Sequence, residues 1–297
     1  MPVYSSFRWL HAFLAVAALF WILPARADAA GIVQVEHFPA SGRPALIFIP
    51  ALACGPWEWR RQIAALRGRY DIYVLRLPGF DGLAPVNGDA LVERALAGIA
   101  ELVRANKLAH PVVVGHSIGG SLAIDFAERY PGLAGGIIAI EGGYPASHDE
   151  AERRKVAAED AKPFRGLDRA QFKRTFESDM LKDMLQRRND VQTVGRLAAR
   201  SDPDAVAAWL YDVDMLDLTP GLSKIRVPVV EIVPFDASVD ARDGLTLAKK
   251  RALYQRWLKR APRGSVVMID HARHFVMFDR PAAFDDVLFG AIRRMSA

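Results

Sequence analysis

Five residues, Gly115-His116-Ser117-Ile118-Gly119, restrict this chain more than any other stretch. They read G-x-S-x-G. An apolar, β-branched run over 111–114 leads in, and a helical pattern over 121–130 leads out. A serine on a sharp strand-to-helix turn has its Oγ lifted clear of the sheet, and flanking glycines let strand and helix pass closely. The N–H of Ile118 then points at a reacting carbonyl from a helix N-terminus. The five letters alone are a weak pattern. Their placement between a buried strand and a helix predicts a nucleophile rather than an ordinary turn.

The surrounding sequence alternates. Strands are predicted over 32–37, 44–49, 71–77, 112–114 and 136–140. Helices are predicted over 57–66, from a cap at Asp89 to about 105, and over 121–130. Near-continuous apolar strands between helices imply an α/β fold with a mostly parallel sheet covered on both faces. The rhythm stops after Glu141. Between 145 and 223 the chain reads as charged helices, with Ser201-Asp202-Pro203 as a helix start. Strands return at 227–233 and 266–269, with a helix near 245–260 and a closing helix after Pro281. The predicted organisation is a core of residues 30–144 and 224–297 with a helical cap over 145–223. Phe172, Phe176, Met180 and Met184 recur every fourth residue in that cap. Such a stripe either packs a helix onto its neighbour or forms an apolar lid over a site.

Composition narrows the class. The chain has 297 residues, 51 % of them hydrophobic, enough for one large α/β domain with an insertion. Its net charge is +5 with no long basic run, so nucleic acid is not an expected partner. Residues 1–29 read as a secretory signal. Arg8 precedes an apolar stretch over 12–23, Pro24 breaks it, and small-x-small sites allow cleavage near 27–30. The stretch is short for a membrane span, so the expected product is periplasmic or secreted and not inserted in the membrane. Cys54 is the only cysteine, which excludes an internal disulfide and suits a buried core position. No metal-ligand spacing, dinucleotide fingerprint or P-loop is present, and the chain is expected to need no cofactor or metal.

A serine hydroxyl needs a neutral imidazole within reach, and the imidazole needs a carboxylate to fix its tautomer. The C-terminal part has two histidines, His271 and His274, in Asp270-His271-Ala272-Arg273-His274-Phe275 after the last predicted strand. Spacing does not choose between them.

Strand order, the elbow at 115–120, the cap position and the C-terminal histidines together resemble the α/β-hydrolase superfamily over nearly all of the chain beyond the leader. The resemblance implies a cap inserted after the sixth strand. It implies His274 as general base, because His274-Phe275 with Pro281 fits the family pattern and His271 does not. It implies an acid in the loop after the strand that follows the cap, which points to Asp236. Asp240, and Glu141 at the end of the strand before the cap, are alternatives. The oxyanion donors would be the N–H groups of Ile118 and Leu52. Here the sequence departs from the family. Pro50-Ala51 stands where His-Gly is usual, and proline has no N–H. Trp57 and Trp59 follow that loop, and are expected either to wedge a helix into the core or to line an acyl pocket. Residues 76–80, with Pro78-Gly79, read as a strand-end turn.

The implied activity is hydrolysis of a carboxylic ester of a small, fairly apolar substrate through an acyl-enzyme on Ser117. A lactone, amide or carbon–carbon bond, a lyase, perhydrolase or acyltransferase reaction, or a non-catalytic ligand-binding role on the same scaffold are the alternatives. Serine at the elbow, rather than aspartate, disfavours aspartyl-ester chemistry.

Overall fold

The computed structural model describes residues 32–145 and 147–296. The expected leader lies outside them.

Seven strands form one sheet in the order β1-β3-β2-β4-β5-β6-β7. They are β1 (Gln34–Phe38), β2 (Ala45–Ile49), β3 (Asp71–Arg76), β4 (Val112–His116), β5 (Gly136–Ile140), β6 (Val229–Phe235) and β7 (Gly264–Asp270). Only β1 runs antiparallel, against β3. Every residue of β2, β4 and β5 is buried, as expected for parallel strands covered on both faces. The crossover and flanking helices are α1 (Arg60–Leu66), α2 (Leu91–Ala105) and α3 (Ile118–Arg129).

Between β5 and β6 the described chain is helical. It holds α4 (Glu150–Ala161), α5 (Arg169–Thr175), a π-helical turn over Phe176–Leu181, α6 (Lys182–Met184), α7 (Arg188–Ala198) and α8 (Pro203–Asp214). The insertion thus leaves the sheet after its fifth strand, not the sixth, because the described residues place only five strands ahead of it. After β6 come α9 (Ala237–Asp240), α10 (Leu247–Leu258), β7, α11 (Val276–Asp279) and α12 (Pro281–Met295).

The helical insertion is tied to the core by polar bonds at α8. Trp209 Nε1 donates to the Pro78 carbonyl at 3.0 Å. Asp212 accepts from the Leu91 N–H at 2.8 Å and so caps α2. Asp89 was the expected cap, but Ala90 at the N-cap position takes φ +59°, and the acceptor arrives from the insertion instead. The start of α8 follows its sequence signal, with Asp202 accepting from the Ala205 N–H and Pro203 in the first turn.

Trp59 is fully buried against Phe48, with ring centroids 5.1 Å apart, so it serves the core. Cys54 is also fully buried. Burial, then the nearby Glu58 and Asp81 charges, push its thiol well above the ordinary range, which leaves it an inert core side chain.

The strand–helix turn after β4 depends on close backbone approach. A methyl on Gly119 would overlap the Ile49 carbonyl, and one on Gly115 would overlap the Gly119 carbonyl. Neither neighbour is a side chain that can rotate away. Gly119→Ala is therefore expected to destabilise the protein by about 3 kcal/mol or more. Urea unfolding of the variant beside wild type measures it, and a loss under about 1 kcal/mol would show that the turn can open without cost.

Candidate active site

Ser117 sits between β4 and α3 with φ +55° and ψ −120°, a conformation rare for a residue with a Cβ. Its N–H donates to the Ile140 carbonyl at 2.8 Å, and its carbonyl accepts from the Ser121 N–H at 3.1 Å. The turn is thus held from β5 on one side and from α3 on the other.

His274 lies in the loop after β7. Its Nδ1 is 2.7 Å from Glu141 Oε2. With Nδ1 engaged, Nε2 makes no hydrogen bond to another described residue, Ser117 Oγ included, and the tautomer with its lone pair at Nε2 is the one that a serine base requires. Glu141 follows β5 directly, at φ +44°, with its N–H donating to the Ile232 carbonyl. Its other oxygen, Oε1, accepts from Lys250 Nζ at 2.6 Å. Lys250 comes from α10, is buried, and also pairs with Asp240 Oδ1 at 2.8 Å.

The electrostatics follow from this geometry. Burial alone would raise the Glu141 carboxyl, but the His274 hydrogen bond and the Lys250 charge overcome it and hold Glu141 at about 2. Burial lowers His274 below its ordinary value, with His116 adding to the effect against the pull of Glu141. His274 is therefore neutral and Glu141 ionised near neutral pH. The adjacent Glu231 is buried on β6, and accepts from the Gly142 N–H at 3.1 Å. Its burial and the Glu141 charge favour its neutral form.

Asp236 does not meet His274, and the expectation that it orients the base is corrected. β6 runs on through Phe235, and Asp236 is spent as the N-cap of α9. Its Oδ1 accepts from the Ser238 N–H and hydroxyl, and its Oδ2 accepts from Gln186 Nε2 at 2.8 Å and Arg273 Nε at 3.2 Å. Those bonds overcome a partial burial and hold its carboxyl at about 2. The carboxylate beside the imidazole is Glu141. Asp240 joins the same network one step out, through Lys250. His271 is exposed, with its Nε2 3.7 Å from Asp270 Oδ2.

Ser117, Ile118, Leu52, Glu141 and His274 line one cavity of ≈ 300 Å³. Its far wall comes from the helical insertion, with Phe176, Met180, Met184 and Leu210. The Phe/Met stripe thus does both things open to it. Phe172 and Phe176 are buried and pack on Phe164, while Phe176, Met180 and Met184 reach the cavity. A π-helical turn over Phe176–Leu181 lies within the stripe. Neither Trp57 nor Trp59 lines the cavity. Asp214 stands at its cap end beside Asp160, where burial and the Asp160 charge push its carboxyl up to about 7, so it is only partly ionised near neutral pH. A second cavity, ≈ 380 Å³, lies between Pro78, Pro85 and Trp209 and does not include Ser117.

Lys250 and Glu58 are among the polar residues around the site that the sequence pattern does not single out. Lys250 reads like its neighbour Lys249, and nothing local marks it as the buried one. Glu58 had a signal, an acid between two tryptophans in an apolar stretch, which is where a buried charge with a partner would lie.

A sequence model of the alpha/beta hydrolase family matches residues 46–287. The chain is 26 % identical over 240 residues to a pimeloyl-(acyl-carrier protein) methyl ester esterase of Aeromonas hydrophila, covering 80 % of this chain and 85 % of that protein. Its fold is similar to a thermophilic esterase from Thermogutta terrifontis, with TM-score 0.72, 19 % identity, and coverage of 89 % and 94 % of the two chains. It is equally similar in fold to an enol-lactonase from Burkholderia xenovorans, with TM-score 0.72, 17 % identity, and coverage of 87 % and 95 %.

The two carboxylates have opposite expected phenotypes. Glu141→Gln leaves His274 without its carboxylate and should slow labelling of Ser117 by a fluorophosphonate by about 10³–10⁴-fold. Asp236→Asn should stay within about five-fold of wild type, because it weakens the α9 cap and the Arg273 pair but leaves the Glu141–His274 bond in place. Time-resolved labelling of the two purified variants reads both, and the reverse order would return the acid's role to Asp236.

Proposed function

The chain belongs to the alpha/beta hydrolase family, and on that premise we propose that it is a serine hydrolase cleaving a carboxylic ester through an acyl-enzyme on Ser117. The observation that carries the reading is the Glu141–His274 pair, bonded through Nδ1 and lining the same cavity as Ser117. Ser117 Oγ attacks the acyl carbonyl while His274 Nε2 takes its proton. Glu141 holds the imidazole and stabilises the cation that forms. The N–H groups of Ile118 and Leu52 receive the negative oxygen. His274 then returns the proton to the leaving alkoxide, and a water molecule repeats the sequence to free the acid.

The Met, Phe and Leu side chains of the insertion favour a small, largely apolar ester. The names of the similar proteins, a methyl ester esterase and an esterase, support the same bond type. An enol-lactonase among the fold neighbours makes lactones the next class to assay. We further propose that the protein is exported, a reading that rests on the leader-like residues 1–29 alone.

Labelling of purified protein with a fluorophosphonate, wild type beside Ser117→Ala and His274→Ala, tests the nucleophile. The expected result is labelling of wild type only; a folded wild type that never labels would leave a ligand-binding scaffold as the better account. With a p-nitrophenyl acyl ester, kcat/KM should fall on the acid side as His274 protonates. Its value is lowered in the folded protein, so the neutral base survives to lower pH, and the midpoint is expected below about 6.5. A midpoint well above that would contradict a desolvated base.

A further inference from the structure

Glu58 and His116 are buried side by side beneath the site, and the steps above use neither. Glu58 lies on the 3-10 turn Pro56–Trp59, just after the loop that carries Leu52. Its Oε2 accepts from the Ala51 N–H at 2.9 Å. Its Oε1 shares a hydrogen bond of 2.5 Å with His116 Nδ1. His116 Nε2–H in turn donates to the backbone carbonyl of His274 at 3.0 Å. The two imidazole rings lie 4.6 Å apart, and Phe275 closes the edge of His116 at 5.1 Å.

Three segments far apart in sequence therefore meet at two side chains. They are the loop after β2, the residue immediately before Ser117, and the backbone of the general base. The loop is also where this chain lacks the usual His-Gly. Pro50 offers no N–H, so Ala51 supplies the first one in the loop, and Glu58 is what holds it. A buried pair of this kind is a poor source of stability, since apolar residues of similar volume often replace one without loss. Fully bonded, it holds its surroundings in one arrangement.

We infer that Glu58 and His116 form a positioning bridge that fixes the oxyanion loop and His274 relative to each other. This rests on the serine-hydrolase reading above. Glu58 and His116 are positioning residues, acting through the Leu52 loop and the His274 backbone.

The test is the limiting rate of fluorophosphonate acylation, separated from the half-saturating probe concentration, in three variants with folding checked by thermal unfolding. Glu58→Met with His116→Met removes the bridge without leaving an orphan charge. The limiting rate should fall about 30–100-fold, as for a sub-ångström to ångström misplacement, with half-saturation within about three-fold. Glu58→Gln with His116→Met keeps the bond to Ala51 and cuts the link to His274, and should lose at least about ten-fold. It decides the matter if the first variant does not fold. Glu58→Gln alone can still accept from Ala51 and donate to His116, and should recover to within about five-fold of wild type. Either double variant, folded and acylated at the wild-type rate, overturns the bridge. So does a folded Glu58→Gln as slow as the double variants, since charge rather than connection would then matter. Wild type that fails to label at Ser117 sinks the nucleophile reading and the inference with it, whereas labelled wild type with unaffected variants sinks the inference alone.

Discussion

Ser117 holds a positive φ on a residue with a Cβ, and the rest of the site is arranged around that turn. Such a conformation costs on the order of 1–3 kcal/mol and persists only where the surroundings over-determine it. Here the Ile140 carbonyl takes the Ser117 N–H, α3 begins at the next residue, and glycines at 115 and 119 let β4, α3 and the end of β2 come closer than any side chain would allow. The same closeness brings Leu52 and Ile118 to the wall of one cavity. A looser turn would move Ser117 away from Leu52 and Ile118.

Charge is layered outward from that turn. Glu141 is ionised between His274 and Lys250, and Lys250 is itself held by Asp240. Asp236 and Arg273 form a second pair alongside, joined to the first where Asp240 accepts from the Asp236 N–H at 2.8 Å. The loop after β6 thus still reaches the surroundings of His274, but through Lys250 and Arg273 rather than by a direct carboxylate contact. A lysine beside the acid offsets the desolvation of Glu141 and keeps the negative charge under the imidazole when the insertion covers the cavity.

Local sequence pattern was enough for the elements that obey a local rule. The elbow, the buried strands β2, β4 and β5, the Asp202-Pro203 helix start and the helical character of the insertion were all legible, because each depends on residues a few positions apart. The pairing of His274 was not. Glu141 and Asp236 both end a parallel strand of the same sheet, both precede a loop, and both carry a carboxylate. The choice turned on how far β6 continues and on which groups already occupy Asp236. Asp89 failed for a similar reason. A cap that looks local was supplied by Asp212, more than a hundred residues away in the chain.

By itself, then, the sequence determined the α/β architecture, the serine on its strand–helix turn and the histidine that the resemblance singled out, since periodicity and turn chemistry act over short spans. Tertiary structure alone decided which carboxylate meets His274, that Lys250 rather than Lys249 is buried beside it, and that Glu58 joins the Ala51 N–H to His116. Those are contests between distant groups for the same few hydrogen-bonding positions. They are settled by distance and desolvation, which no single stretch of chain encodes.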